Sequence, residues 1–280
     1  MNLDLTAIPC FGVAGNFTGH LEQAGESKDF TLIKTSEANA PKALFPTYIP
    51  HVGKAVPSFL NVFPFSSDTI IFPKGEQKLQ IEPECAIVFD LLWKDERVCS
   101  LRPICFGASN DCSIRKSGAK KISEKKNWGI CSKGFSSHPI LLDDFSKNGI
   151  LHSYRIASFL VRGGYAEWYG EDSAIRDYSY IYEKLVAWLI EKLNFQMDEG
   201  PAENVHSYLV SCNCPDKVLI SIGATRYTDF GEHIFLQDKD AAVVVLYPEN
   251  AYTAEQIKHK VENNDLGNDD ISVLWQNVRV

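Results

Sequence analysis

Apolar positions along this chain fall mostly into short continuous or alternating runs, the pattern of strands. Residues 7–14, 81–90, 101–108 and 217–222 read as buried strands, and 241–247 as a strong one of small and β-branched residues. Asp68 to Phe72 is a further candidate. Residues 154–162 and 165–169 flank Gly163-Gly164, a hairpin signal. Ile271 to Trp275 begins with alternation and reads as a last strand.

Helical spacing is rarer. Tyr178 to Leu193 places Ile181, Leu185, Trp188 and Leu189 on one face, and Asn194 can close it. Leu21 to Ala24 looks like the start of a short helix, after the turn Gly15 to His20. Thr253 with Gln256 predicts a capping box for a short amphipathic helix. Six prolines between Pro41 and Pro73 predict an irregular region with short extended pieces. The basic run Arg115 to Lys126 reads as a mobile loop or short helix. Without repeats, linkers or low-complexity tracts, residues 1–280 are expected to form a single α+β, strand-rich domain with a few helices.

Composition narrows the functional classes. With 45% hydrophobic residues among 280, a sizeable core is available. A net charge of −8 argues against nucleic acid as the main partner. No run reaches the ~18 apolar residues of a membrane helix. Met1-Asn2-Leu3-Asp4 lacks the basic start of a secretory signal, so a cytoplasmic location is expected. The eight cysteines include no Cys-x-x-Cys pair, and Cys212-Asn213-Cys214 lacks a second half. Buried reduced thiols are the expectation.

Candidate chemistry gathers at a few polar positions. Glu82 and Glu84 share one strand face on an otherwise apolar segment. Two like charges there require a shared proton, a basic neighbour or a hard cation, unless both face water. His20 sits where a strand hands over to a helix, and alone would be a surface or capping residue. Asp111 ends a strand and is followed at even spacing by Ser113 and Arg115. By itself it is a turn residue, and Arg115 and Lys133 are solvated charges.

Four pieces in order change that balance: Gly15-Asn16-Phe17-Thr18-Gly19-His20, Glu82-Pro83-Glu84, Asn110-Asp111-Cys112-Ser113-Ile114-Arg115, and Ser132-Lys133-Gly134-Phe135. Together they resemble the fumarylacetoacetate hydrolase family, with its Asn-Tyr-x-x-His turn, Glu-x-Glu, Asn-Asp-x-Ser-Ala-Arg-Asp and Lys-Ser/Gly-Phe motifs. The resemblance covers residues 8–145 and, more loosely, 215–231. It implies a mixed β-sandwich roll with peripheral helices and a homodimer. It also implies a divalent-metal enzyme, most simply a hydrolase cleaving a carbon–carbon bond of a β-diketo acid or acylpyruvate.

By the same resemblance, Glu82, Glu84 and Asp111 would hold Mg²⁺, with Mn²⁺ or Ca²⁺ as alternatives; three hard oxygen ligands agree with that choice. His20 would take a proton from water, Lys133 would stabilise a leaving enolate, and Arg115 would lie near the substrate. Asn16, Ser113 and Thr225 would contact substrate. The chain departs from the family at Gln23, where many members have the glutamate that partners the histidine, at Lys116, and at Ala224. The stretch 235–268 is extra to the family. A metal-dependent isomerase, tautomerase or decarboxylase is the alternative, and a non-catalytic small-molecule-binding protein on the same scaffold the second.

Overall fold

A computed structural model describes residues 3–26, 30, 33, 35–50, 56–116 and 118–280. Parts of the predicted irregular region, at 51–55, and of the basic run, at 117, lie outside the described residues. The chain folds around a long hairpin. Strands β3 (Pro83–Lys94) and β4 (Arg97–Asn110) pair antiparallel from Pro83↔Asn110 to Lys94↔Arg97. The two residues between them, Asp95 and Glu96, both have positive φ, as a tight two-residue hairpin turn demands. The first seven residues of β3 are all buried, which explains why its apolar run hardly alternates.

This hairpin is the middle of a mixed sheet. Its order is β2 (Ala43–Tyr48), β1 (Cys10–Ala14), β8 (Lys217–Ala224), β3, β4, β5 (Lys133–Phe135) and then Phe65–Ser66. Strand β1 runs parallel to β8, and β8 antiparallel to β3. A second sheet orders β7 (Tyr165–Ala174), β6 (Tyr154–Arg162), β9 (Ala241–Pro248), β10 (Ser272–Arg279) and Thr69–Ile71. The main core joins residues of both sheets, among them Phe89, Phe106, Ile156, Val244 and Leu274, all fully buried. Each such side chain contributes about 1.5–3 kcal/mol of burial.

The differences from the expected elements have local causes. Residues 43–48 form a strand, bulged at Thr47, despite Pro46, because β2 is the sheet's edge, where a missing N–H is tolerated. The long helix, α2, runs Tyr182–Phe195 and starts four residues later than the periodicity suggests. Asn16 accounts for the delay: its backbone carbonyl accepts from Ser179 N–H, its side-chain oxygen accepts from Tyr180 N–H, and its amide donates to Tyr180 O. That holds 179–180 out of the helix. Stretch 235–268 supplies β9, which lies between β6 and β10, and helix α3 (Ala254–Glu262). Ile257 and Val261 of α3 pack on Val243, Val245 and Tyr247, and the Thr253–Gln256 capping box is present.

One tie matters for the site. A single 3₁₀ turn spans Ile122–Lys125, and Ser123 Oγ donates to Glu203 Oε1 at 3.0 Å. Burial pushes the Glu203 carboxyl up from 4.5 to about 7. Between those values the folded protein keeps a proton that the unfolded chain has lost, so stability falls as pH rises through that window. At ~1.4 kcal/mol per unit the full effect is roughly 3 kcal/mol. We expect Glu203→Gln to remove this slope between pH 5 and 7 and to exceed the wild type in stability at pH 8. Urea midpoints measured across that range decide it: equal slopes for the two proteins would reject the assignment.

Candidate active site

Hairpin register brings the acids together. Because Pro83 pairs with Asn110, the start of β3 and the end of β4 are neighbours. Asp111 N–H donates to Glu82 O at 3.0 Å, and Glu82 N–H to Asn110 Oδ1 at 3.0 Å. Ligand atoms of Glu82, Glu84 and Asp111 thus lie within 4.8 Å of one another, and all three residues are buried. Strand β5 pairs with the end of β4 at Asn110↔Gly134, which sets Lys133 against Asp111. The bulge in β8 between Ser221 and Ala224 turns Gly223 N–H onto Glu84 Oε2 at 2.9 Å. Gly223 has φ 116°, and a Cβ there would lie 3.1 Å from Asn16 Cβ, so glycine is required.

Three cations face these carboxylates, and a fourth, Lys125, meets Glu26 beside them. Lys126 Nζ donates to Glu82 Oε2 at 2.5 Å and lies 2.7 Å from Asp111 Oδ2. Lys133 Nζ is 3.1 Å from Asp111 Oδ1 and also donates to the Cys112 carbonyl. Arg115 Nη2 is 2.7 Å from Glu82 Oε1. Its other nitrogens donate to Gln80 Oε1 and to Glu26 Oε1, and Nη2 also donates to the Tyr227 hydroxyl. Lys125 Nζ donates to Glu26 Oε1 at 2.8 Å. Buried ion networks of this size persist only when each charge is met.

Proton affinities follow from this arrangement. Burial pushes Glu82 up, but Lys126 and Arg115 together hold it well below the usual carboxylate range. Glu84 goes the other way: burial, then Asp111 and Glu82, raise it well above that range. Burial opposes the Lys126 ammonium, yet Asp111, Glu82 and Glu26 outweigh it and raise its pKa. For Lys133, burial wins over Asp111 and lowers it. His20 is lowered chiefly by burial, so its imidazole is neutral near pH 7.

His20 opens helix α1 (His20–Gln23), 5% exposed, with Nδ1 lacking a hydrogen-bond partner. Its ring centroid is 5.1 Å from that of Tyr227. Gln23 is locked to the Tyr227 backbone by two bonds, Nε2 to O at 3.1 Å and Oε1 from N–H at 2.9 Å. Gln23 therefore steadies the tyrosine beside the imidazole. His20, Glu26, Glu82, Glu84, Lys126 and Ala224 line a cavity of about 20 Å³, room for a single water. A roomier hollow of about 380 Å³, between Leu3, Phe63, Phe65 and Phe135, carries no titratable side chain and is not where the chemistry lies.

Not every predicted site residue joins the cavity. The Asn16 amide donates to Tyr180 O and Ile222 O, and Asn16 acts as a brace between the end of β1, β8 and the residues that precede α2. Arg115 is engaged in full by protein groups. Thr225 is buried, and its N–H donates to Pro83 O. Ser113 is buried with its hydroxyl lacking a partner, on the two-stranded ribbon Ser113–Ile114 with Leu79–Gln80. Glu82, Glu84 and Asp111 form an all-carboxylate set, with the Glu82 and Asp111 oxygens held by ion pairs, and such a set fits a hard cation by donor chemistry.

A family model described as a family of unknown function, DUF5718, matches residues 26–278. The chain belongs to this family. No curated protein matches its sequence. Solved structures are informative about the fold. A protein of the fumarylacetoacetate isomerase/hydrolase type from Oleispira antarctica is 13% identical, with a TM-score of 0.55, covering 97% of this chain and 93% of the other. 2-Keto-3-deoxy-D-arabinonate dehydratase, complexed with magnesium and 2,5-dioxopentanoate, is 16% identical with a TM-score of 0.53, over 97% and 72%. 5-Carboxymethyl-2-hydroxymuconate delta-isomerase from Mycobacterium smegmatis is 13% identical with a TM-score of 0.53, over 97% and 78%. This DUF5718 chain therefore has the fumarylacetoacetate hydrolase-type fold; identities this low speak to fold alone.

Lys126 and Tyr227 are the site residues that sequence patterns miss in this DUF5718 protein. Lys126 ends a basic run that reads as solvated, yet it is 3% exposed. The available signal was Lys125-Lys126 abutting Asn127-Trp128, where a polar run meets an aromatic side chain.

Proposed function

We propose that this protein is an enzyme acting on a small keto acid, with hydrolytic cleavage of a carbon–carbon bond as its reaction. The observation that carries the reading is the convergence of Glu82, Glu84 and Asp111 in one buried cluster, two of them lining a cavity with His20, whose Nδ1 is unpartnered. The three carboxylates would hold a divalent cation, magnesium foremost. A hard cation supplies Lewis-acid polarisation of a keto oxygen. Neutral His20 serves as the base that takes a proton from water. Lys133, beside Asp111, offers the ammonium that steadies developing enolate charge. Arg115 holds Glu82 in place and leaves substrate to other groups.

A second reading, isomerisation of the same substrate class, draws support from Gln23. Its amide is tied to Tyr227, so His20 has no carboxylate partner at that position to stabilise an imidazolium. We assign the protein to the cytoplasm, since Cys10, Cys85, Cys105, Cys112 and Cys212 are buried and unpaired. Among the described residues no helix is long and apolar enough to cross a membrane.

Turnover of a panel of acylpyruvates and β-diketo acids with Mg²⁺ or Mn²⁺ tests the reaction. Two carbon fragments are expected; a shifted double bond would establish isomerisation, and released carbon dioxide decarboxylation. Intact substrate throughout the panel would reject the enzyme reading.

A further inference from the structure

The carboxylate cluster already contains a cation of the chain's own. Lys126 Nζ touches Glu82 Oε2 at 2.5 Å and Asp111 Oδ2 at 2.7 Å, bridging two of the three carboxylates that would ligate a metal. An ammonium bridging two ligands stands in the space a shared divalent ion would need. It is also held there from outside. The side chain is 3% exposed, and Nζ lies 5.3 Å from the centre of the Phe45 ring. Lys126 N–H donates to Ser123 O at 3.0 Å, and Ser123 is tied in turn to Glu203. Arg115 and Lys126 already meet Glu82, Lys126 and Lys133 meet Asp111, and Arg115 and Lys125 meet Glu26, so each ion-paired acid has its counter-cations. An added divalent ion would upset that balance unless Lys126 withdrew.

We propose that Lys126 is the resident cation of the carboxylate cluster, and that a divalent metal binds Glu82, Glu84 and Asp111 only in competition with its ammonium. This deepens the reading of those three residues as metal ligands and rests on it. The departure is a built one: the chain keeps the acids and supplies their counter-ion covalently. Lys126 then sets how tightly metal is held and keeps the metal-free protein folded. In the metal-free state Lys126 also lines the cavity beside these acids, so metal loading would move a residue of the cavity wall.

The test is Mn²⁺ binding, followed by the loss of the free-ion electron paramagnetic resonance signal, for wild type, Lys126→Met and Lys126→Arg. Lys126→Met is expected to bind Mn²⁺ at least tenfold more tightly than wild type. Lys126→Arg, which keeps the charge, should stay near wild type. Melting temperatures give a readout that needs no variant. Wild type should melt at the same temperature in EDTA as without it, while Lys126→Met should fall in EDTA and recover with Mn²⁺. Equal Mn²⁺ affinities for wild type and Lys126→Met would overturn the competition while leaving the metal site intact. No Mn²⁺ binding by any of the three would overturn both. Should Lys126→Met fail to fold, a drop of several degrees for wild type in EDTA would still overturn the proposal.

Discussion

Asp111→Ala is expected to destabilise the metal-free protein by roughly 3–5 kcal/mol, the range for removing one member of a buried ion network. Asp111 is 2% exposed and meets both Lys126 at 2.7 Å and Lys133 at 3.1 Å. Its loss leaves Lys133, 1% exposed, and half of the Lys126 contacts without a counter-charge. Water cannot reach them to compensate, and the cavity beside them has room for about one molecule. A contrast variant is Asp198→Ala, which breaks the pair with Lys121 at 2.8 Å where Asp198 is 59% exposed. That change should cost at most about 1 kcal/mol, because solvent screens the pair. Combining Asp111→Ala with Lys126→Met should cost less than the two single losses added, since the second removes a charge the first strands. Urea unfolding measures all of these. An Asp111→Ala protein within 1 kcal/mol of wild type would show that the cluster is not held by its ion pairs.

His20→Ala should lower kcat by about 10²- to 10⁴-fold, the usual contribution of a positioned general base. In activation terms that is roughly 3–5 kcal/mol. Burial lowers the imidazole pKa, so the ring is deprotonated and able to accept at neutral pH. Nδ1 has no hydrogen-bond partner, and the residue lines the same cavity as Glu82 and Glu84. Folding should be little affected, because the ring is not part of the ion network and its neighbour Tyr227 is held separately by Gln23 and Arg115. Steady-state kinetics and a melting curve on one preparation check both halves. A kcat within threefold of wild type would remove His20 from the proton-transfer role. Unchanged kcat with a raised KM would make it a binding residue.

Much of the framework was legible in the chain. The apolar runs of β3, β4, β8 and β9 gave strands because burial on both faces leaves little room for polar side chains. The hairpin at Gly163-Gly164 and the Thr253–Gln256 cap are local, set by a few neighbouring residues, so local patterns carry them. Order and spacing of Glu82, Glu84, Asp111, His20 and Lys133 pointed to one site, and the fold places all five around Lys126 or its cavity.

What the sequence by itself determined, then, was the strand-rich architecture, the three acids at the ends of paired strands, and the departure at Gln23. Tertiary structure alone decided how the acids are neutralised. Lys126 lies 44 residues from Glu82 and Glu26 lies 89 from Arg115, and no periodicity relates residues so far apart. A basic run looks solvated until the chain folds it over four carboxylates, because the electrostatic stabilisation of a buried ammonium exists only once its partners surround it in a medium of low polarity. For the same reason the surroundings of Asn16 and Arg115 could not be read locally: their hydrogen-bonding capacity is met by Tyr180 ahead of α2, by Ile222 of β8 and by Glu82 at the entry to β3.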